Sequence, residues 1–109
     1  MTGVMIVSTQ TSASANCTSH IATLVDGTSG YLVNGSNVNF RTGPHTSCSS
    51  RGLGQRSTYV TYYCYTRGDT VTANGVTLST WTMVHRDGQL YGWVSDTLLV
   101  NYGSPKLCP

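Results

Sequence analysis

Residues Asp69 to Thr80 constrain the fold of this chain more than any other stretch. Asn74-Gly75 stands between two runs in which Val, Ala or Leu alternates with Thr or Ser, Thr70-Val71-Thr72-Ala73 and Val76-Thr77-Leu78-Ser79. Asn-Gly suits a type I′ turn, whose two left-handed residues match the twist of the strands it joins. With those two residues as the turn, Ala73 faces Val76, Thr72 faces Thr77 and Val71 faces Leu78. One face is then apolar and the other carries threonine, which is the pairing that stabilises an antiparallel sheet. A helix has no use for a period of two.

The rest of the chain agrees. No long 3.6-residue apolar period occurs, and 12 Gly interrupt any helical pattern. Tyr59-Val60-Thr61-Tyr62-Tyr63-Cys64 has the strongest β-propensity. Val38 and Phe40 alternate with Asn39 and Arg41, and Gly43-Pro44 ends that strand, since Pro cannot donate to a ladder. Ile21 to Val25 reads as a further strand, stopped by Asp26-Gly27. Tyr31-Leu32-Val33 leads into Asn34-Gly35, a second candidate type I′ turn. Within Ser47 to Gln55, Arg51-Gly52-Leu53-Gly54 reads as a loop carrying one apolar plug. The last hairpin turns at Asp87-Gly88 and has two possible registers. A two-residue turn groups Trp81, Met83 and Val94. A three-residue turn with a bulge moves every pairing by one. Val84 and Val94 then share the core face, and Trp81, Tyr91 and Trp93 gather on the other. The second register is preferred because it separates an aliphatic face from an aromatic one.

Charged residues make up only 9% of the 109, with no Glu and a single Lys, Lys106. Seven Tyr, two Trp and many aliphatic residues nevertheless supply a core, so low charge does not mean disorder. A net charge of +2 with five scattered Arg gives no nucleic-acid footprint. Cys17, Cys48, Cys64 and Cys108 lack C-x-x-C spacing and read as two disulfides in an oxidising compartment. Three connectivities are open. Cys17–Cys108 with Cys48–Cys64 is favoured, because it would tie an N-terminal arm to the C-terminal tail.

Gly3 to Val7 is a short apolar run, and Ala13-Ser14-Ala15 is an A-x-A processing site. Residues 1–15 therefore read as the remnant of a signal peptide, and the expected location is secreted, extracellular or wall-associated. The arm spans 16–30, the barrel 31–100 and the tail 101–109. No run approaches the ~20 apolar residues of a membrane span.

The ordered pieces Val38-Asn39-Phe40-Arg41-Thr42-Gly43-Pro44, Tyr59-Val60-Thr61-Tyr62, Trp81-Thr82-Met83-Val84, Gly92-Trp93-Val94-Ser95 and Leu98-Leu99 resemble the bacterial SH3 domain family, over roughly residues 31–100. The chain would be a secreted, cysteine-containing, stand-alone member. The resemblance implies an all-β, partly open SH3-like barrel of five or six antiparallel strands, here with the Asn74-Gly75 hairpin inserted and two disulfides as staples. It also implies recognition of cell-wall peptidoglycan, through peptide or glycan. The turn from Arg41 to His45 corresponds to the family's first long loop, a wall of its peptide groove.

The expected ligand-binding residues are Asn39, Arg41, Gly43, Pro44, Tyr62, Trp81, Tyr91 and Trp93. A guanidinium pairs a carboxylate bidentately, an amide bonds peptide backbone, and flat rings cover ligand at low entropic cost. The competing reading braces the loop with Asn39 and Arg41 and fills the core with the aromatics. No enzyme is expected. All four Cys are taken as paired, the carboxylates are sparse, and His20, His45 and His85 lack metal-ligand spacing. Neither cofactor nor metal is implied. A monomer is expected, with a wall peptide or glycan as partner, or else an extracellular protein bound as by an inhibitor or toxin-complex subunit.

Overall fold

The computed structural model describes residues 17–33, 36–86 and 90–109. Six strands form one curled antiparallel sheet: β1 (Ser29–Tyr31), β2 (Val38–Arg41), β3 (Ser50–Gly54), β4 (Tyr59–Ala73), β5 (Val76–Arg86) and β6 (Leu90–Ser95). Their order is β1-β4-β5-β6-β2-β3, and two 3₁₀ turns, Asp96–Leu98 and Val100–Tyr102, follow β6. The result is an all-β, partly open barrel. The expected strand Tyr59–Cys64 and the first arm of the Asn74-Gly75 hairpin prove to be one 15-residue strand, β4, with irregular register near Tyr63 and Gly68.

Hairpin pairing follows the sequence reading residue by residue: Ala73 faces Val76, Thr72 faces Thr77 and Val71 faces Leu78. Asn74 and Gly75 have φ of 55° and 75°, the left-handed pair that the turn demands. At the second hairpin Arg86 faces Leu90 and Val84 faces Gly92, which is the three-residue register. Its turn, like Asn34-Gly35 and the residues before Cys17, lies outside the described residues.

That register creates two layers. Phe40, Tyr62, Val84 and Val94 meet Leu32, Val38, Val60 and Leu99 in the main core inside the curl. Trp81, Met83 and Trp93 project from the opposite face, because side chains alternate along a strand. Yet Trp81 and Trp93 are only 3% and 1% exposed. The N-terminal arm and a bulge in β4 cover them.

Three expectations need correction. Ile21 to Val25 forms no strand, and Ile21 is 76% exposed. The arm instead docks one step later, where the amides of Val25, Asp26 and Gly27 donate to the carbonyls of Tyr62 and Tyr63. Ser50 to Gly54 is an edge strand, not a loop, and Leu53 is no plug. Leu53 pairs with Asn39 on the outer face, whereas Gly54 pairs with Val38 against the core. The disulfides are Cys17–Cys48 and Cys64–Cys108. Each terminal segment is therefore pinned to its own part of the sheet. The tail runs beside β4, exchanging hydrogen bonds with Tyr65 at Lys106 and Cys108, which brings Cys108 to Cys64. Arm and tail do meet, through Ser104 Oγ donating to Asp26 Oδ2 at 2.6 Å.

Candidate functional site

Strands β2 and β6 share a single pair, Arg41 with Trp93, and no ladder pair joins them beyond it. A cavity of about 300 Å³ opens there, lined among others by Val38, Asn39 and Arg41 of β2, Trp81 of β5, Val71 of β4 and Leu98 after β6. Three of the expected site residues, Asn39, Arg41 and Trp81, thus converge on one cleft. Each reaches it for a local reason. Asn39 and Arg41 occupy alternate positions opposite Val38 and Phe40, so burying the latter in the core turns the former outward. Trp81 is fixed by its indole N–H, which donates to the Asp69 carbonyl at 2.9 Å.

The Asp69 bulge shapes the far wall. Gly68 packs so closely on Pro44 that a Cβ would overlap the Pro44 backbone, and the Asp69 amide donates to the Pro44 carbonyl. The Asp69 carboxylate then gathers the loop after Pro44. Its Oδ1 lies 2.7 Å from His45 Nδ1, and its Oδ2 accepts from the Thr46 amide and hydroxyl at 2.9 and 3.1 Å. Burial alone would raise the Asp69 carboxyl, but the bonds from His45 and Thr46 outweigh it and hold it below the usual range. On the other side of the ring, His45 Nε2 is buried with no hydrogen-bond partner among the described residues. The His20 ring stands 5.7 Å from that of His45 and edge-on to Trp93 at 6.1 Å.

Arg41 both lines the cleft and braces the loop, since its Nη1 donates to the Cys48 carbonyl at 2.9 Å. Cys48 is itself held by Cys17. Among the described residues no hydrogen bond engages the Asn39 carboxamide.

The remaining expected residues lie elsewhere. Gly43 and Pro44 are buried under the arm, and a Cβ on Gly43 would overlap the Cys17 backbone. Gly43 is therefore constrained by space, not by the positive φ that a glycine turn suggests. Tyr62 is 2% exposed in the main core, with its hydroxyl donating to the Val100 carbonyl at 2.7 Å, and burial raises its hydroxyl pKa. Trp93 sits beneath the arm. Tyr91 is 41% exposed on the outer face, away from the cleft, where it takes part in a row of rings. Tyr63 stacks on His85 at 3.8 Å, His85 on Tyr91 at 5.1 Å, and the Arg51 guanidinium lies 3.9 Å over Tyr91.

Sequence reasoning missed Val71, Leu98 and Asp96. Val71 reaches the cleft through the β4 bulge, for which Gly68 was the only signal. Asp96 sits behind the wall formed by the 3₁₀ turn. It is 2% exposed, its Oδ1 accepts from Thr82 Oγ1 at 2.6 Å, and Thr82 Oγ1 accepts from the Ser104 amide. Burial pushes the Asp96 carboxyl up to about 6, with hydroxyl bonds from Thr82 and Thr80 only partly opposing.

No family model matches the chain, and searches of curated proteins and of solved structures likewise return no match.

Proposed function

We propose that this protein is a secreted, non-catalytic binding module that recognises peptidoglycan peptide or glycan, as a relative of bacterial SH3 domains. The observation that carries the reading is the convergence of Asn39, Arg41 and Trp81 on a cleft where β2 loses its β6 partner. An extended peptide entering there meets strand backbone, an amide, a guanidinium and an apolar wall. These are the components of strand-type peptide recognition. Two disulfides suit an extracellular setting.

The test is sedimentation of the full chain, disulfides intact, with purified peptidoglycan sacculi, beside an Asn39→Leu variant. Among the described residues the Asn39 carboxamide has no hydrogen bond to lose, so the variant should fold. Saturable retention, weakened at least about tenfold in the variant, is expected. Retention that never saturates, or none at all, overturns the wall reading.

A second reading, an extracellular protein-interaction factor, is favoured by the partly exposed row of Tyr63, His85, Tyr91 and Arg51. Rings locked by stacking cover a partner with little further entropic cost. Loss of a protein partner on Tyr91→Ala, with no sacculus retention by the parent chain, is its expected signature.

A further inference from the structure

Among the described residues Arg41 is the one charged side chain lining the cleft, and this restricts the chemistry of what can fill it. The neighbouring carboxylate, Asp69, is already committed: one oxygen faces His45 and the other accepts twice from Thr46. Arg41 itself is only partly used. A guanidinium has five N–H donors in a planar fork, and among the described residues only Nη1 has an acceptor, the Cys48 carbonyl. That single bond fixes the fork without exhausting it. Two residues before Arg41 on the same face, the Asn39 carboxamide stands with no hydrogen-bond partner among the described residues. Val71, Trp81 and Leu98 bring apolar surface to the same cavity.

A polyanion would need several cations, and a neutral glycan would leave the guanidinium without a counter-charge. One fixed cation, one amide and an apolar wall instead match a chain end: a single negative charge, a peptide group beside it and a side chain to bury. We infer that the cleft binds the free C-terminal carboxylate of an extended peptide. Arg41 pairs the carboxylate, Asn39 bonds the last peptide group, and Val71 and Leu98 receive the terminal side chain. This deepens the binding reading above and rests on it for the location of the site. The same chemistry is supplied by the stem peptides of peptidoglycan and by the C-terminus of a protein.

Two probes separate these sources. One is an N-acetylated, fluorescent Gly-Ala-Gly-Ala-Leu peptide, prepared as the free acid and as the C-terminal amide. The other is a muramidase digest of sacculi, before and after carbodiimide amidation of its carboxyl groups. Affinity is read by fluorescence anisotropy for the peptides and by competition for the digest, with the full oxidised chain. At least one free-acid probe should bind about tenfold or more tightly than its amide. Arg41→Gln should remove that preference, and Arg41→Lys, which keeps a charge, should retain part of it.

Near-UV circular dichroism checks that both variants keep their tryptophan environment. The acid-over-amide comparison uses the parent chain alone, so it stands even if a variant misfolds. Equal affinity for acid and amide in both probes overturns the inference, even where sacculi still sediment with the protein. Absence of binding by either probe overturns it too. Acid preference for the simple peptide without sacculus retention supports the inference and removes the wall, pointing to a protein C-terminus. Acid preference that survives Arg41→Gln in a folded variant overturns the assignment to Arg41.

Discussion

The N-terminal arm is tied by Cys17–Cys48 to the loop that the Asp69 carboxylate gathers, and the C-terminal tail by Cys64–Cys108 to β4 and, through the Ser104 amide on Thr82 Oγ1, to the hydroxyl that donates to the Asp96 carboxylate. The parts are alike, but the electrostatics run in opposite directions. Asp69 is partly exposed and receives an imidazole, an amide and a hydroxyl, so its charged form is favoured. Asp96 is sealed under the tail with hydroxyl donors, and its neutral form is favoured. Donor number and access to water, more than residue type, decide which way a structural carboxylate titrates. The arm clamp also holds Arg41 through Cys48, whereas the tail clamp holds only the wall behind the cleft.

The disulfides give the largest expected effects. The bonds span 31 and 44 residues, so loop entropy alone assigns about 3.7 and 4 kcal/mol to them. Removing either pair as Cys→Ala doubles should lower urea stability by similar amounts. Only the Cys17/Cys48 double should also weaken ligand binding, because it loosens the carbonyl that fixes Arg41. Equal binding losses in both doubles would erase the functional distinction between the clamps.

Acid titration gives the next largest effect. The Asp96 carboxyl titrates near 6 in the folded chain and near 3.8 when unfolded. The folded state therefore binds its proton more tightly. The stability this confers is complete below about pH 3.8 and disappears as the pH rises through 6, roughly 2–3 kcal/mol in all. Asp69 has the opposite sign: its contribution is present above pH 3.8 and lost as the pH falls below that value. Melting temperature followed from pH 7 to pH 3 should rise between 7 and 4, then fall. Asp96→Asn should remove the rise, and Asp69→Asn should soften the fall. A melting curve unchanged by Asp96→Asn would show that the ionised carboxylate is not disfavoured by its burial.

A smaller effect tests whether the tail clamp has a further point of attachment. Asn74 Nδ2 at the hairpin tip donates to the Thr97 carbonyl at 3.2 Å, next to Asp96. Asn74→Gly keeps the left-handed turn and removes this donor. It should cost about 0.5–1 kcal/mol in urea unfolding, less than either carboxylate change. A cost near zero would make the inserted hairpin independent of the clamp.

The legible parts of this fold were those set by neighbouring residues. Asn74-Gly75 dictated its own pairings, and the separation of Val84 and Val94 from Trp81 and Trp93 gave the register of the last hairpin. What stayed hidden depended on long-range closure. Cysteine spacing carries no direction, so the pairing turned on where the arm and tail cross the sheet. Trp93 falls on the outer face of β6, away from the main core, and the covering arm buries it there. The site was legible to the extent that β2 alternation displays Asn39 and Arg41. Val71 and Leu98 come from elements 32 and 59 residues away from Asn39 and owe their place to the Gly68 bulge and the 3₁₀ turn.

The smallest expected effect concerns the arm itself. Burial, and the neighbouring His45, lower the pKa of His20 below its ordinary 6.5. The neutral imidazole is thus the form that packs beside Trp93. Its contribution is present above pH 6.5 and is lost as the pH falls through the lower folded value. A proton there places a cation 5.7 Å from a ring already paired to Asp69 and sets it at the edge of an indole. The arm should loosen locally while Cys17–Cys48 keeps it attached. Trp93 emission should consequently change reversibly below pH 6.5, ahead of global unfolding. Trp81→Phe leaves Trp93 as the sole reporter, and His20→Ala should abolish the step. A step that persists in His20→Ala would assign it to another group and leave the arm itself without a titration of its own.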